Sequence, residues 1–524
     1  MTTRRDHFLP AIAAGLTVLV LLAAADESPA REPLKIFFIS SSLGEDQGQS
    51  FGSLFEIHDS NGTLVAGAGF ADVYNTRFRS DRHTLQFFVR DPAHRQRYST
   101  MDLPHPDMDM GVYLMGVNQE LRAWTSARSN RVQRWNPEQR EWIKETDGGI
   151  VSSGDGVMRV GAGVLRFLSN KATYDDRVIL SPPEVGRYYN FYYALGHLFF
   201  YHGQRTDEGG FTRVLACRWK PGQEGEIDVS KAVAIEAKYV GATPFAWGQY
   251  KDQVLTVDNQ GGVYVFQQDR WRMLLEADDQ VSYQVYSMTN FYDRLYLAQY
   301  PTGNLFEYDG KQLVRKQDWP PRVPGVAKNA REAQTMAIYG GDLMVGVWPW
   351  AELWRYQHDT DSWHSMGRMF KHPALRADRT HPYEEQANRL DLVTNFFGQR
   401  ITGMVPIVEG LMMSTSAKGT YEWNPKFDFL NDQQRREYGA VIKLQRPGCL
   451  AAQIQWTGKP IKFDFRVTQD SISVFQDGKR IAMTKHDMPL KWLSSTGLKM
   501  TLGKGAYGDF SGSIGRTLIT GEER

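Results

Sequence analysis

One arrangement of residues recurs along the middle of this 524-residue chain. A chain that repeats a short unit buries its apolar side by stacking the copies. Between residues 254 and 423 four passages share a pattern: a run rich in Val, Leu, Tyr and Trp, a break at Gly, Pro, Asn or Lys, then a second such run. They are 254–257 with 263–266, 295–300 with 305–308, 343–348 with 353–356, and 411–416 with 420–423. Apolar runs divided by turn-forming residues predict β-hairpins. Looser copies stand upstream at 36–40 with 53–58, at 132–135 running on to Trp142, at 164–168, and at 198–201 with 214–219.

Third-strand positions 217, 265, 307 and 355 lie 48, 42 and 48 residues apart. That is the length of a four-stranded propeller blade, as in WD40 or kelch repeats. The expectation is an all-β chain: a seven- or eight-bladed β-propeller over residues 31–430, with eight candidate units, then a small C-terminal β-sandwich-like segment over 431–524. A single sandwich or several unrelated sheets would not keep this period. Two units also place aromatics seven apart across a polar turn, Trp135 with Trp142 and Tyr356 with Trp363. This resembles the Tyr…Trp half of a kelch repeat. The diglycine half is not reproduced, because Gly340 and Gly341 precede their strand instead of following it. The resemblance implies the architecture and no kelch function.

Beyond Asn424 and Pro425 the pattern changes. The polar stretch 431–437 reads as a linker or short helix, and strand-like runs resume at 441–444, 461–467 and 472–475. Asp477-Gly478 predicts a hairpin turn. Residues 473–481, and 498–503 followed by 508–514, look like the later strands of a laminin-G or concanavalin-like jelly roll. A full jelly roll is longer than this segment, so the segment is expected either as a reduced sandwich or as a piece packed on the repeats.

The first thirty residues have the order of a secretory signal peptide: Arg4 and Arg5, an uncharged run from Ala11 to Ala25, and small-residue cleavage contexts before Asp26 and Arg31. The apolar run is short of the roughly 20 residues that cross a bilayer. The chain is therefore expected to be exported, secreted, periplasmic or envelope-associated, with membrane attachment only if this segment is kept as an anchor. Formal net charge is +1 for the whole chain, and loss of Arg4, Arg5 and Asp6 brings it to zero. Such balance gives no sequence-wide attraction to nucleic acid. The two cysteines, Cys217 and Cys449, are no disulfide framework for so long a chain; they are read as two buried thiols or one pair.

In a propeller the second-to-third-strand loops and the inter-blade connections open on one face. The former hold His202, Arg205, Asp207 and Glu208 in one unit, then Asp258 and Asn259, then Tyr300, then Trp348 and Trp350. The connections hold Asp278, Asp279, Arg322, Lys328, Arg331 and Glu332. The longest insertion, about residues 368–397, carries His372, Arg376, Arg379, His381, Glu384 and Glu385. A loop that long in a compact repeat is functional or disordered, and Pro382 suits a helix start within it.

Tyr300, Trp348, Trp350 and Arg379 form the expected ligand-binding set. Indole faces suit pyranose rings, and guanidinium groups suit carboxylate or sulfate. The competing reading is that Trp348 and Trp350 only cap the hairpin and that the insertion is a solvated loop. The leading functional expectation is an exported binding protein for a glycan or a cell-envelope protein. The alternative is a carbohydrate-active enzyme, a polysaccharide lyase or glycoside hydrolase. A lyase would draw its base from His202, His372 or His381 and its cation from Arg205, Arg376 or Arg379. A hydrolase would need paired carboxylates about 5–9 Å apart. A scaffold role with no small ligand is the third class. Asp107 and Asp109 before Gly111 have a spacing that can serve calcium, but the glutamate that ends an EF-hand loop is missing; a plain polar turn is the competing reading.

Overall fold

The computed structural model describes residues 33–523 except 72, 76–77, 126–131, 146–155, 281–283, 317–318, 327–329 and 419–421. The signal-peptide reading therefore lies outside the described residues. The chain is all-β, built of many small antiparallel sheets, and among the described residues no sheet closes on itself.

Among the described residues, seven units of four antiparallel strands follow one another: 113–144, 156–180, 187–236, 244–275, 284–316, 332–368, and a seventh made of Arg400–Ile407, Gly410–Ser416, Val441–Gln445 and the distant Ser99–Asp102. The hairpins read at 254–266, 295–308 and 343–356 are present with the expected strands. The paired aromatics explain themselves: Trp135 lies opposite Trp142, and Tyr356 opposite Trp363, with ring centroids 5.3 and 5.1 Å apart.

Each unit packs on the next through its own apolar cluster. Met115 and Trp124 share a cluster with Val157, Phe167 with Phe191, Tyr201 with Tyr264, Val257 with Leu297, Ala298 with Val345, and Leu353 with Met413. A further cluster joins the seventh unit to the first, with Val405, Met412 and Val441 against Leu114, Leu121 and Trp135. Glycines allow this approach. A Cβ on Gly116 would stand 2.6 Å from Val405 Cγ1, and one on Gly346 would stand 2.9 Å from Ile401 Cβ.

Three expectations are corrected. The passage 36–40 with 53–58 is not a repeat hairpin. Pro33–Ser42 pairs with Ile461–Val467 and Ser513–Glu523, while Gly52–His58 pairs with Leu64–Phe70 and Lys499–Leu502. The second arm expected at 420–423 is replaced by Val441–Gln445, with Leu411 opposite Leu444; residues 419–421 lie outside the described residues. Strand pairing also crosses the division expected at 430/431. Two five-stranded sheets, each drawing strands from both ends of the chain, share one core of Phe37, Phe55, Phe87, Phe463 and Phe465. Ile461–Val467 shows the cause, its apolar residues buried and Lys462, Asp464 and Arg466 turned outward. The expected short helix is α2, Asp432–Arg436, following α1 at Glu384–Arg389; Asn431 caps α2.

Between Leu64–Phe70 and Thr84–Val89 the chain leaves this sandwich and runs along the first strands of three units. Val73–Asn75 pairs with both Pro244–Tyr250 and Gln284–Phe291, and Phe78–Arg79 pairs with Tyr113–Val117. Two buried charge networks rivet sandwich to units. Asp342, in the sixth unit, meets Arg90, Arg446 at 2.9 Å and Arg355 at 3.5 Å. Asp46 holds Arg82, His83 Nε2 at 2.9 Å and the backbone N–H of Gly161 at 2.7 Å. Cys217 and Cys449 are both free thiols, Cys217 packed between the second and third units.

Candidate functional site

The long insertion after the sixth unit is folded. Arg368 closes its base, donating from Nε to Trp350 O (3.1 Å), from Nη1 to Pro373 O (3.0 Å) and from Nη2 to Gln399 Oε1 (2.9 Å). Glu437 accepts the backbone N–H groups of Lys371 and His372, both at 3.1 Å, and meets His372 Nδ1 at 2.9 Å. Phe370, Ala387, Phe396 and Phe397 join Phe427 and Tyr438 in the core between the sixth and seventh units. The apolar residues spaced through a polar stretch are what order it, while Arg376, Asp378 and Glu385 keep exposed side chains.

Trp350, Arg376, Arg379 and His381 line one cavity of about 150 Å³, with Pro373 and Tyr383. Trp350 is buried; its Nε1 donates to Thr380 O at 3.1 Å and the Arg368 guanidinium lies 5.0 Å from its ring centre. Trp348, also buried, contacts the His381 ring at 5.0 Å. The indoles thus pack as well as border a site. His381 is oriented twice by Glu384: its backbone N–H donates to Oε1 at 2.6 Å, and Nδ1 stands 3.1 Å from the same oxygen. Its Nε2 is buried with no hydrogen-bond partner among the described residues. Burial pulls the imidazole below its ordinary pKa, against the pull of Glu384. Both arginines have carboxylate neighbours, Arg376 with Asp378 at 2.7 Å and Arg379 with Glu385.

The other sequence candidates stand apart from that cavity. His202 lies within the strand His197–Thr206, its Nε2 donating to Val185 O at 2.7 Å and its Nδ1 accepting from Arg213 at 3.1 Å. With both nitrogens engaged, this ring is held in place and has no nitrogen free for proton transfer. Arg205 is exposed near the tip of the same hairpin, opposite Gly210. Tyr300 ends its strand opposite Gln284, as Trp348 ends its own opposite Glu332, and its ring meets Tyr286 edge-on at 6.1 Å. His372, paired with Glu437, sits at the insertion's base beside Pro373. Asp107 and Asp109 border a different cavity of about 200 Å³ that also holds Arg435 and Arg436. Asp107 faces Arg436 at 3.7 Å, and Asp109 accepts from Thr125 Oγ1 at 3.3 Å. Among the described residues no group of three or more His, Cys, Asp or Glu could hold a metal ion. Sequence reasoning missed Glu437, which fixes the insertion from far along the chain, and Tyr383, which supplies a wall. No local signal marks either.

No family model matches the chain, and no curated protein matches it. Solved structures match weakly. A computationally designed protein aligns at 7% identity over 65% of this chain and 99% of its own, with a TM-score of 0.34. The extracellular domain of a putative one-component system from B. thetaiotaomicron aligns at 11% identity over 74% of this chain, with a TM-score of 0.36; the match spans about half, 47%, of that structure. Among the described residues no helix is long and apolar enough to cross a membrane.

Proposed function

We propose that this chain is an exported seven-bladed β-propeller that binds an acidic glycan in the pocket made by its sixth-unit insertion. Support for the ring comes from seven successive inter-unit cores, the last of them returning to the first unit, and from a seventh unit completed by a strand that precedes the first. Support for export is the Arg4–Arg5 and Ala11-to-Ala25 pattern. The two-sheet sandwich then takes the part expected of the laminin-G-like segment.

The observation that carries the ligand reading is the meeting of Trp350, Arg376, Arg379 and His381 on one cavity. Arg376 and Asp378 are both well exposed, and solvent screening leaves such an ion pair little net stabilisation. A sugar carboxylate or sulfate can therefore take the place of Asp378 on the guanidinium at little cost. Retention on immobilised polygalacturonate, alginate and heparin tests the reading. The wild-type chain should be held by at least one, and Arg376→Ala with Arg379→Ala should weaken that retention about tenfold. Equal retention of the variant rejects the site.

A second reading rests on His381. A histidine fixed by a carboxylate, with its other nitrogen unpartnered, has the build of a general base. In a uronate lyase that nitrogen would take the C5 proton while an arginine neutralised the carboxylate, the C5 electron pair forming the C4=C5 double bond as the C4–O bond breaks and the leaving oxygen takes a proton from water. New unsaturated-uronate absorbance, lost in His381→Ala, would select the enzyme over the binder.

A further inference from the structure

Where the sandwich meets the third, fourth and fifth units there is a larger cavity, of about 390 Å³. It falls within the range of about 300–1,000 Å³ typical of small-molecule sites, and junctions between domains are where such sites concentrate. Turn tips of three successive units, at Leu195, Tyr250 and Tyr292, face sandwich segments at Gln47 and Phe510 across it. The walls are tied to one another. Ser50 N donates to Gln249 Oε1 at 2.8 Å, Asn290 Nδ2 donates to Gln249 O at 2.8 Å, and Lys251 Nζ meets Asp509 at 3.2 Å. Tyr250 OH donates to Asp293 O at 2.9 Å. Walls braced in this way are ordered before a ligand arrives, which lowers the entropic cost of binding.

Three of the four carboxylates around the cavity have a cation partner, and Asp252 has a neutral amide instead. Glu45 pairs with Lys220 at 3.0 Å, Asp293 with Arg294 at 2.5 Å and Asp509 with Lys251, and Asp252 accepts from Gln267 Nε2 at 2.8 Å. Four carboxylates and a single ammonium, that of Lys251, line the cavity, which disfavours an acidic ligand. Each carboxylate still has spare lone pairs, since two oxygens offer about four acceptor sites. Tyr292 and Phe510 add half-buried rings, and Tyr292 is backed by His358 with ring centroids 3.8 Å apart. Acceptors, an ammonium donor and aromatic rings form a recognition set for a polyol. Hydroxyls donate to the carboxylate oxygens and the C–H face of the ring lies on the aromatics.

We propose that the junction cavity is a second binding site, one for a neutral saccharide. It is independent of the insertion pocket. The test is a glycan array carrying neutral and acidic glycans, probed with the full chain and with Asp252→Ala, Phe510→Ala and Arg379→Ala. The expected result is a neutral glycan whose binding falls about tenfold in each junction variant, is unchanged in Arg379→Ala, and is the same at low and high salt. Failure to retain any neutral glycan overturns the proposal, as does retention that both junction variants keep or that only Arg379→Ala loses. Retention that salt abolishes overturns the neutral class. Asp252 is exposed, so Asp252→Asn carries the test should Phe510→Ala fail to fold.

Discussion

The two regions where side-chain charge gathers handle it in opposite ways. Beside the insertion pocket, Arg376 and Asp378 have side chains 57% and 60% exposed. In the seam between sandwich and sixth unit, Arg90 and Asp342 are 4% and 0% exposed. Solvent stands ready to replace either partner of the first pair, so its rupture changes little. A charge in the second has no such alternative, and losing its partner strands it in a low-dielectric interior. Similar pairs of residue types thus stay exchangeable with solvent in one place and fix geometry in the other.

Breaking the seam should have the largest effect. Asp342→Ala leaves the guanidinium groups of Arg90, Arg355 and Arg446 facing one another, and urea unfolding should show a loss of about 3–5 kcal/mol. A smaller loss would mean that the seam relaxes by admitting water.

Next comes acidity. Burial pushes the Glu56 carboxyl up to about 7, against the backbone N–H of Ala506 and the charge of Arg90. Between the unfolded value near 4.5 and about 7, the folded chain holds a proton that the unfolded chain has lost. This contribution to stability therefore falls as pH rises through that window. Asp342 and Asp46 act oppositely. Burial alone would raise them, but their arginine partners hold both below the ordinary carboxylate range, so their contribution is lost as pH falls through and below that range. Glu56→Gln should flatten the neutral side of the stability profile, gaining up to about 3 kcal/mol over wild type at pH 8 relative to pH 5, and leave the acid side unchanged.

Gly116→Val, which drives a side chain into Val405 where the seventh unit meets the first, should cost about 1–3 kcal/mol by thermal melting. An unchanged melting temperature would show that this contact is dispensable. The smallest effect belongs to the exposed pair: Arg376→Ala should leave the thermal melting midpoint unchanged while weakening acidic-glycan retention.

How far the sequence could be read depended on where each partner lay. The hairpin Arg294–Tyr300 with Leu305–Tyr308 was legible because turn and both arms sit within fifteen residues. The strand Pro33–Ser42 was misread because its own alternation is that of any half-buried strand. Only its partners at Ile461–Val467 and Ser513–Glu523 place it in the sandwich, and no local residue names them. Val441–Gln445 was misplaced for the same reason, a long excursion separating it from Gly410–Ser416. The insertion pocket was legible because Trp350, Arg376, Arg379 and His381 occur within about thirty residues. The junction cavity was not, since five separate segments meet there and each reads alone as an ordinary turn.

The split sandwich also sets an order of events. Lys35 meets Val467, so a chain emerging at about 5–20 residues/s exposes its first strand for roughly 20–90 s before that partner exists. All seven units can form in the interval, while the Phe-rich strands that precede them stay open to wrong neighbours. The last strands then act as a clasp, and the hydrophobic core they complete with Phe37 and Phe55 is the final one the molecule can close.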